Sequence, residues 1–160
     1  MTAPSATNRQ APAGRMLDDG YQSLITFAVD PDVAFWEKGV QPPGIDGGEK
    51  IDVTTMHNTT YRTSTARSLK EVTDGQVTAA WDPRVYPQII ALINVETTIT
   101  VKFSNGDTLA FYGYLQKFEP SELKEGEHPE ATLSFVATNR DPSTGAEEAP
   151  VLTEVAGTGT

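Results

Sequence analysis

Apolar and polar residues alternate with a period of two over most of the ordered-looking part of the chain. Ile99, Val101 and Phe103 alternate with Thr98, Thr100 and Lys102, the pattern of a strand with one face buried. Ser104-Asn105-Gly106-Asp107 follows, and Asn-Gly between two such runs predicts a tight hairpin, because both residues tolerate positive φ. The return strand sets Leu109, Phe111, Gly113 and Leu115 against Ala110, Tyr112 and Tyr114. A further strand over 130–138 alternates Ala131, Leu133, Phe135 and Ala137 with mostly polar residues. Ser23 to Val29 is β-rich and stops at the turn cluster Asp30-Pro31-Asp32.

One segment follows a helical period. Asp82 is a capping residue and Pro83 suits a first helical position. Tyr86, Ile89, Ile90 and Ile93 then fall on one stripe. Pro87 fits if the first turn absorbs it or if the helix starts there. Between Val33-Ala34-Phe35-Trp36 and the helix, the pattern weakens. In Gly39-Val40-Gln41-Pro42-Pro43-Gly44-Ile45-Asp46-Gly47-Gly48, six of ten residues are Gly or Pro, which predicts a loop. Ile51 to Thr55 and the threonine-rich 59–65 are weaker strand candidates, or one long excursion from the sheet. No period of 20–50 residues repeats, so a solenoid or propeller is not expected. The expected fold is mainly β, a sandwich or barrel with one short flanking helix and a long loop.

Composition refines this picture at the ends. Residues 1–20 are rich in Ala, Pro and Thr, and 141–160 carry acids without a base. Both read as arms around a β domain at 21–140. Of 160 residues, 38% are apolar and 21% charged, a globular balance. The absence of cysteine excludes disulfides and thiolate metal sites. No run approaches a membrane span or a secretory signal, so the chain is expected to stay in the cytoplasm where it is made. The net charge of −10 disfavours tight binding to nucleic acid, which works by neutralising phosphate.

Candidate chemistry is sparse. His57 has Asp52 and Ser64 nearby in sequence, but no nucleophile motif frames a serine. His128 lies in the acidic run Glu125-Gly126-Glu127-His128-Pro129-Glu130, with too few partners for a zinc site. Carboxylate pairs fall in the arms, where burial cannot tune them. Gly47-Gly48 lacks the lysine of a phosphate loop. Tyr112 and Tyr114 suit a base-stacking platform only beside a basic groove, which is missing. With Trp36 and Trp81 they suggest a rival of another class, a monomeric carbohydrate-binding β-sandwich. No enzyme activity and no cofactor are expected.

The order of motifs carries more. Phe35-Trp36-Glu37-Lys38-Gly39-Val40 is followed by Pro42-Pro43-Gly44-Ile45-Asp46-Gly47-Gly48, then Ile51-Asp52-Val53-Thr54-Thr55-Met56-His57-Asn58 and Tyr61-Arg62-Thr63. Trp81-Asp82-Pro83, Val101-Lys102-Phe103-Ser104-Asn105-Gly106, Phe111-Tyr112-Gly113-Tyr114 and Glu125-Gly126-Glu127-His128-Pro129-Glu130-Ala131 come next. In this order, over roughly 24–150, the chain resembles the major tail tube proteins of long-tailed bacteriophages. The resemblance implies a small β-sandwich or barrel with one helix. It also implies hexameric rings stacked into a tube, through which DNA passes without specific binding during genome ejection. Expected partners are further copies, a tape measure protein, and tail terminator and tip proteins, with no membrane. The expected location is the virion tail, after assembly in the host cytoplasm. Inner tubes of contractile tails, secretion systems or gene-transfer particles share these features and form the alternative.

Two groups of site residues follow as expectations. An inter-ring or inter-subunit loop would use Val40, Pro42, Pro43, Gly44, Ile45 and Asp46 at its start, and Met56, His57, Asn58, Tyr61 and Arg62 further along. With few apolar anchors, this loop is expected to be mobile alone and ordered by a neighbour. The channel wall would present Thr98, Thr100, Lys102, Tyr112 and Tyr114, the polar side of the hairpin, with Glu96 and Glu119 near the strand ends supplying negative charge. Six copies would give a ring formal charge on the order of −60, which keeps phosphate from adhering.

Overall fold

The computed structural model describes residues 23–31, 36–80 and 82–154. The expected N-terminal arm at 1–20 lies outside the described residues, as do Val33 to Phe35, Trp81 and the last six positions. Strands β1 (Leu24–Phe27), β2 (Trp36–Gln41), β3 (Ile45–Asp46), β4 (Ile51–Asp52), β5 (Ser64–Thr65), β6 (Glu71–Val72) and β7 (Gly75–Ala80) precede helix α1 (Tyr86–Leu92). Strands β8 (Thr97–Lys102), β9 (Thr108–Pro120), β10 (Glu130–Ala137) and β11 (Val151–Thr153) follow it. The fold is mainly β, as the alternation implied.

One antiparallel sheet in the order β1-β8-β9-β10-β7-β2 curls around the core, and β11 adds to β9 where β10 leaves it. Its concave face buries Ile25, Phe27, Val77, Ile99, Val101, Phe111, Leu115, Leu133 and Phe135. Curling brings the two end strands together. There the Ile25 N–H, facing away from the ladder, donates to Glu37 Oε1 at 3.2 Å, so a side chain bridges the seam of an incompletely closed barrel.

Two bulges set which side chains face inward. On β2, Glu37 pairs with Ala79 and Gly39 with Thr78. The extra residue, Lys38, lets Glu37 and Val40 both point to the core side. On β9, Leu115 pairs with Phe135 and Lys117 with Ser134, so Gln116 is extra and the parity flips. Phe118 consequently packs against the core, while Lys117 and Glu119 share the outer face with Tyr112 and Tyr114.

Strand β7 has no counterpart in the sequence reading. Its alternation of Gly75, Val77 and Ala79 with Gln76 and Thr78 is regular, but the inward residues are small. Gly75 must be small: a Cβ there would lie 2.4 Å from the Phe135 ring. A Cβ at Gly113 would meet Val136 O at 2.2 Å. The β8–β9 connection is the expected hairpin, closed by a loop one residue longer than a two-residue Asn-Gly turn. Phe103 N–H donates to Asp107 O at 2.8 Å and Gly106 N–H to Phe103 O at 3.0 Å. Only Gly106, at φ 94°, takes the left-handed conformation, which makes a three-residue loop ending in a glycine.

The helix absorbs its prolines as the sequence allowed. Pro83–Val85 form a 3-10 turn, and α1 begins at Tyr86 with Pro87 in its first turn. The apolar stripe is shifted, however. Ile89 and Leu92 are buried, whereas Tyr86 and Ile90 are exposed. The helix ends at Leu92, and Ile93 turns extended to bridge Leu115, which rotates the buried side. Asp82 Oδ1 accepts from Arg84 N–H at 3.0 Å, and the Arg84 guanidinium binds the same carboxylate. These bonds hold the Asp82 carboxyl below its ordinary value of 3.8, the Arg84 side chain being the main cause. Its stabilising contribution is therefore full above that range and lost as pH falls through the lowered value. An Asp82→Asn variant is expected to show a flatter melting-temperature profile below about pH 4 than the parent, measured by thermal scans across acid pH.

Part of the segment read as a C-terminal arm stays on the body. After β10 the chain turns at 141–146 and returns along β9 as β11, with Val151 opposite Ala110 and Thr153 opposite Thr108.

Candidate functional site

Residues 42–74 leave the sheet as one long hairpin. The pairs β2–β7, β3–β6 and β4–β5 are nested and antiparallel, so the expected Gly/Pro-rich loop and the weaker strand candidates after it form one excursion from the sheet, an arm with its tip at 53–63. Its root is held by Gly44 N–H on Thr73 Oγ1 at 2.8 Å and Thr73 N–H on Gly44 O at 2.8 Å. Val40, assigned to the loop by sequence, sits in β2 opposite Val77 and packs against the core. Pro42 and Pro43 are half-buried at the root. Ile45 and Asp46 form β3, and Asp46 Oδ1 accepts from Gly48 N–H at 2.8 Å.

The arm carries large apolar side chains into solvent. Met56 is 100% exposed, Leu69 82% and Tyr61 81%. Ile45, Ile51 and Val53 are exposed as well. The chain covers none of them among the described residues, and a group of apolar side chains on one projection marks an interaction surface. Leu69, Ile51 and Val53 were not among the loop residues assigned by sequence, because isolated aliphatic residues in a polar stretch look like ordinary strand positions. His57 lies at the tip, and no hydrogen bond joins its ring to Ser64 or Asp52 among the described residues. Asp52 Oδ1 instead accepts from Thr54 N–H at 2.9 Å, and Arg62 lies 3.8 Å from Oδ2.

The second group shares the outer, convex side of β8 and β9. Thr98 pairs with Tyr112, Thr100 with Ala110 and Lys102 with Thr108. Thr26, Thr78, Thr132 and Ser134 continue this hydroxyl-rich face on neighbouring strands. Tyr112 and Tyr114 are half-buried rather than projecting. Trp36 lies three strands away on the edge strand β2, roughly 14 Å at ordinary strand spacing, so these aromatics do not make one stacking platform.

The two acids assigned to this wall both have basic partners. Arg140 Nη2 donates to Glu96 Oε1 and Oε2, each at 3.0 Å. Lys117 Nζ lies 2.6 Å from Glu119 Oε1. Sequence reasoning missed Asp141, which accepts from Ser143 N–H at 2.8 Å and from Tyr112 O–H at 3.4 Å. The Ser143 hydrogen bonds hold its carboxyl below the ordinary range. The charge of Asp141, then desolvation and Glu148, push the Tyr112 phenol up from its usual value. Only folding brings Asp141 and Glu148 beside Tyr112, through the return of the chain along β9.

His128 Nδ1 lies 3.0 Å from Pro129 O in an exposed loop. No cluster of three or more His, Asp or Glu side chains suited to a metal occurs among the described residues.

No protein-family model and no curated protein sequence matches the chain. Solved structures do. A chain from the virion of a native gene transfer agent particle superposes with a TM-score of 0.59 at 10% identity, covering 86% of this chain and 100% of that one. A chain of the sheath–tube complex of an extracellular contractile injection system in its extended state gives 0.61 at 11% identity, over 96% and 100%. A chain of the anti-feeding prophage baseplate gives 0.54 at 9%, over 84% and 92%. At such identities the likeness is one of fold, and the class it defines is the tail tube type, a curled antiparallel sheet with one short helix. The mainly β fold that the resemblance to phage tail tube proteins implied is the one found, and the gene transfer agent and injection-system chains share it over 86% and 96% of this chain.

Proposed function

We propose that this chain is a structural subunit of a phage tail tube, stacking as hexameric rings whose lumen conducts DNA during genome ejection. The observation that carries the reading is a self-contained barrel bearing a long arm whose large apolar side chains find no cover within the described chain. Burying each of them on a neighbour contributes about 1–3 kcal/mol, which favours a multi-copy assembly over a monomer. The tail tube fold and the net charge of −10 support the same reading. In it, the arm joins copies, and the threonine-rich face of β8 and β9 faces the lumen. Paired charges at Glu96 and Glu119, hydroxyls and few free bases leave passing phosphate little to hold. A tape measure protein and terminator and tip proteins are the partners expected of such a tube.

A second reading is the inner tube of a contractile tail or gene-transfer particle, favoured by the likeness to chains from such particles. It differs in whether a sheath coats the tube, which micrographs of intact particles read directly. The shared core of both readings is tested by negative-stain microscopy of concentrated protein. Tubes with sixfold end views are expected. A species that stays monomeric across a wide concentration range, with glycan binding on an affinity column, would replace both readings with the carbohydrate-binding one.

A further inference from the structure

The tip of the arm is built around a polar residue. Between 44 and 71, Asn58 is half-buried and every other position is exposed. Its Oδ1 accepts from Thr55 N–H at 2.9 Å and Thr55 Oγ1 at 3.2 Å, while Nδ2 donates to Tyr61 O at 3.0 Å and Thr63 Oγ1 at 3.4 Å. One carboxamide thus ties the outgoing strand to the returning one across the tip. Thr54 closes the next rung, accepting from Thr63 N–H at 3.0 Å and donating to Thr63 O at 3.2 Å. This takes the place of an apolar cluster, and it leaves the apolar side chains Met56 and Tyr61 pointing outward.

The charge of the arm also singles it out. Residues 42–74 hold five acids (Asp46, Glu49, Asp52, Glu71, Asp74) and four bases (Lys50, Arg62, Arg67, Lys70). The arm therefore carries a net charge of only −1, and the remaining −9 of the total −10 falls on the rest of the chain. Two bodies of like charge repel at short range. The arm is the projection that approaches a second copy with little of that penalty.

We infer that Asn58 is a positioning residue that builds the tip before assembly, so that Met56 and Tyr61 are presented to a second copy of this chain already in docking form. The inference rests on the tube reading and reverses the sequence expectation of a mobile loop ordered by its neighbour. A segment ordered only on docking would lose conformational entropy at that moment, and a prebuilt one has already lost it on folding.

The test compares wild type, Asn58→Ala, and Asn58→Ala combined with Asp52→Cys and Ser64→Cys. The two cysteines stand directly opposite each other in the β4–β5 pair, and the natural sequence has no other cysteine to compete with them. In the dilute wild-type monomer, hydrogen exchange should show the Thr55 amide protected, and Asn58→Ala should abolish that protection with the melting temperature of the body unchanged. The concentration threshold for tube formation should rise about tenfold in Asn58→Ala, as expected when an ordering cost returns to the binding step, and fall back when the disulfide forms. A Thr55 amide that gains protection only in tubes, or Asn58→Ala tubes at the wild-type threshold, would overturn the inference and leave the tube reading intact. An oxidised triple variant no better than Asn58→Ala would mean that Asn58 touches the partner itself, against a positioning role. Absence of tubes from the wild type would overturn the tube reading and the docking role together, whereas exchange at Thr55 in the monomer would still report whether the tip is prebuilt.

Discussion

Replacing residues 53–63 by Asn-Gly is expected to leave a folded body that no longer makes tubes. Asp52 and Ser64 are paired neighbours at the end of β4 and β5, and a two-residue Asn-Gly connection closes such a pair without changing register. No residue of the excised segment belongs to the core cluster, so the denaturation free energy should shift by no more than about 0.5 kcal/mol, as for surface changes generally. The assembly threshold should respond far more. Losing Val53, Met56 and Tyr61 from the docking surface removes on the order of 3 kcal/mol or more per subunit, over a hundredfold in association. Urea melts and light scattering against concentration measure the two effects separately. Cutting nearer the root would be less informative, since Gln41 ends β2 and Ile45–Asp46 form β3. A tip-excised chain that polymerises at the wild-type threshold would remove the tip from the interface.

Phe135→Ala should be the most damaging single change to the body. The ring has no solvent exposure and lies 5.7 Å, centroid to centroid, from Phe111. Gly75 on the neighbouring strand is left without a side chain where the ring passes. The backbone there is fixed on both sides, by β7 and by β9, and cannot collapse into the space. A Phe-to-Ala change in such a site costs about 3–5 kcal/mol, a large share of the ~5–15 kcal/mol that holds an ordinary domain. The midpoint of thermal unfolding should fall by roughly 10 °C, at about 2–4 °C per kcal/mol for a chain of this size. A fall of only a degree or two would mean that the strands around Phe135 are more yielding than their ladders imply.

Much of the body was legible from residue order. The strict alternation in Thr98 to Leu115 defines both faces of β8 and β9, because a period of two leaves no other way to bury Ile99, Val101, Phe111 and Leu115 together. Asp82, Pro83 and Pro87 mark the helix start by their own backbone chemistry. The arm was visible only as an excursion, since its short pairs β3–β6 and β4–β5 carry no alternating apolar signal. β7 went unread because its inward positions are Gly75, Val77 and Ala79, small for a reason that lies on another strand, in the Phe135 ring. The bulges at Lys38 and Gln116 were likewise invisible. They arise where neighbouring strands of a strongly curled sheet must differ in length, a property of the assembled barrel and not of any one segment. Those bulges turn Glu37 toward the Ile25 N–H and bring Lys117 and Glu119 to the outer face. Which acids stand free there was decided by tertiary structure as well. Arg140 meets Glu96 across 44 positions of chain, and Asp141 reaches Tyr112 across 29. Local pattern determines which face of a strand a side chain occupies. Charge pairing between distant segments depends on where the folded chain returns, and no local pattern encodes that.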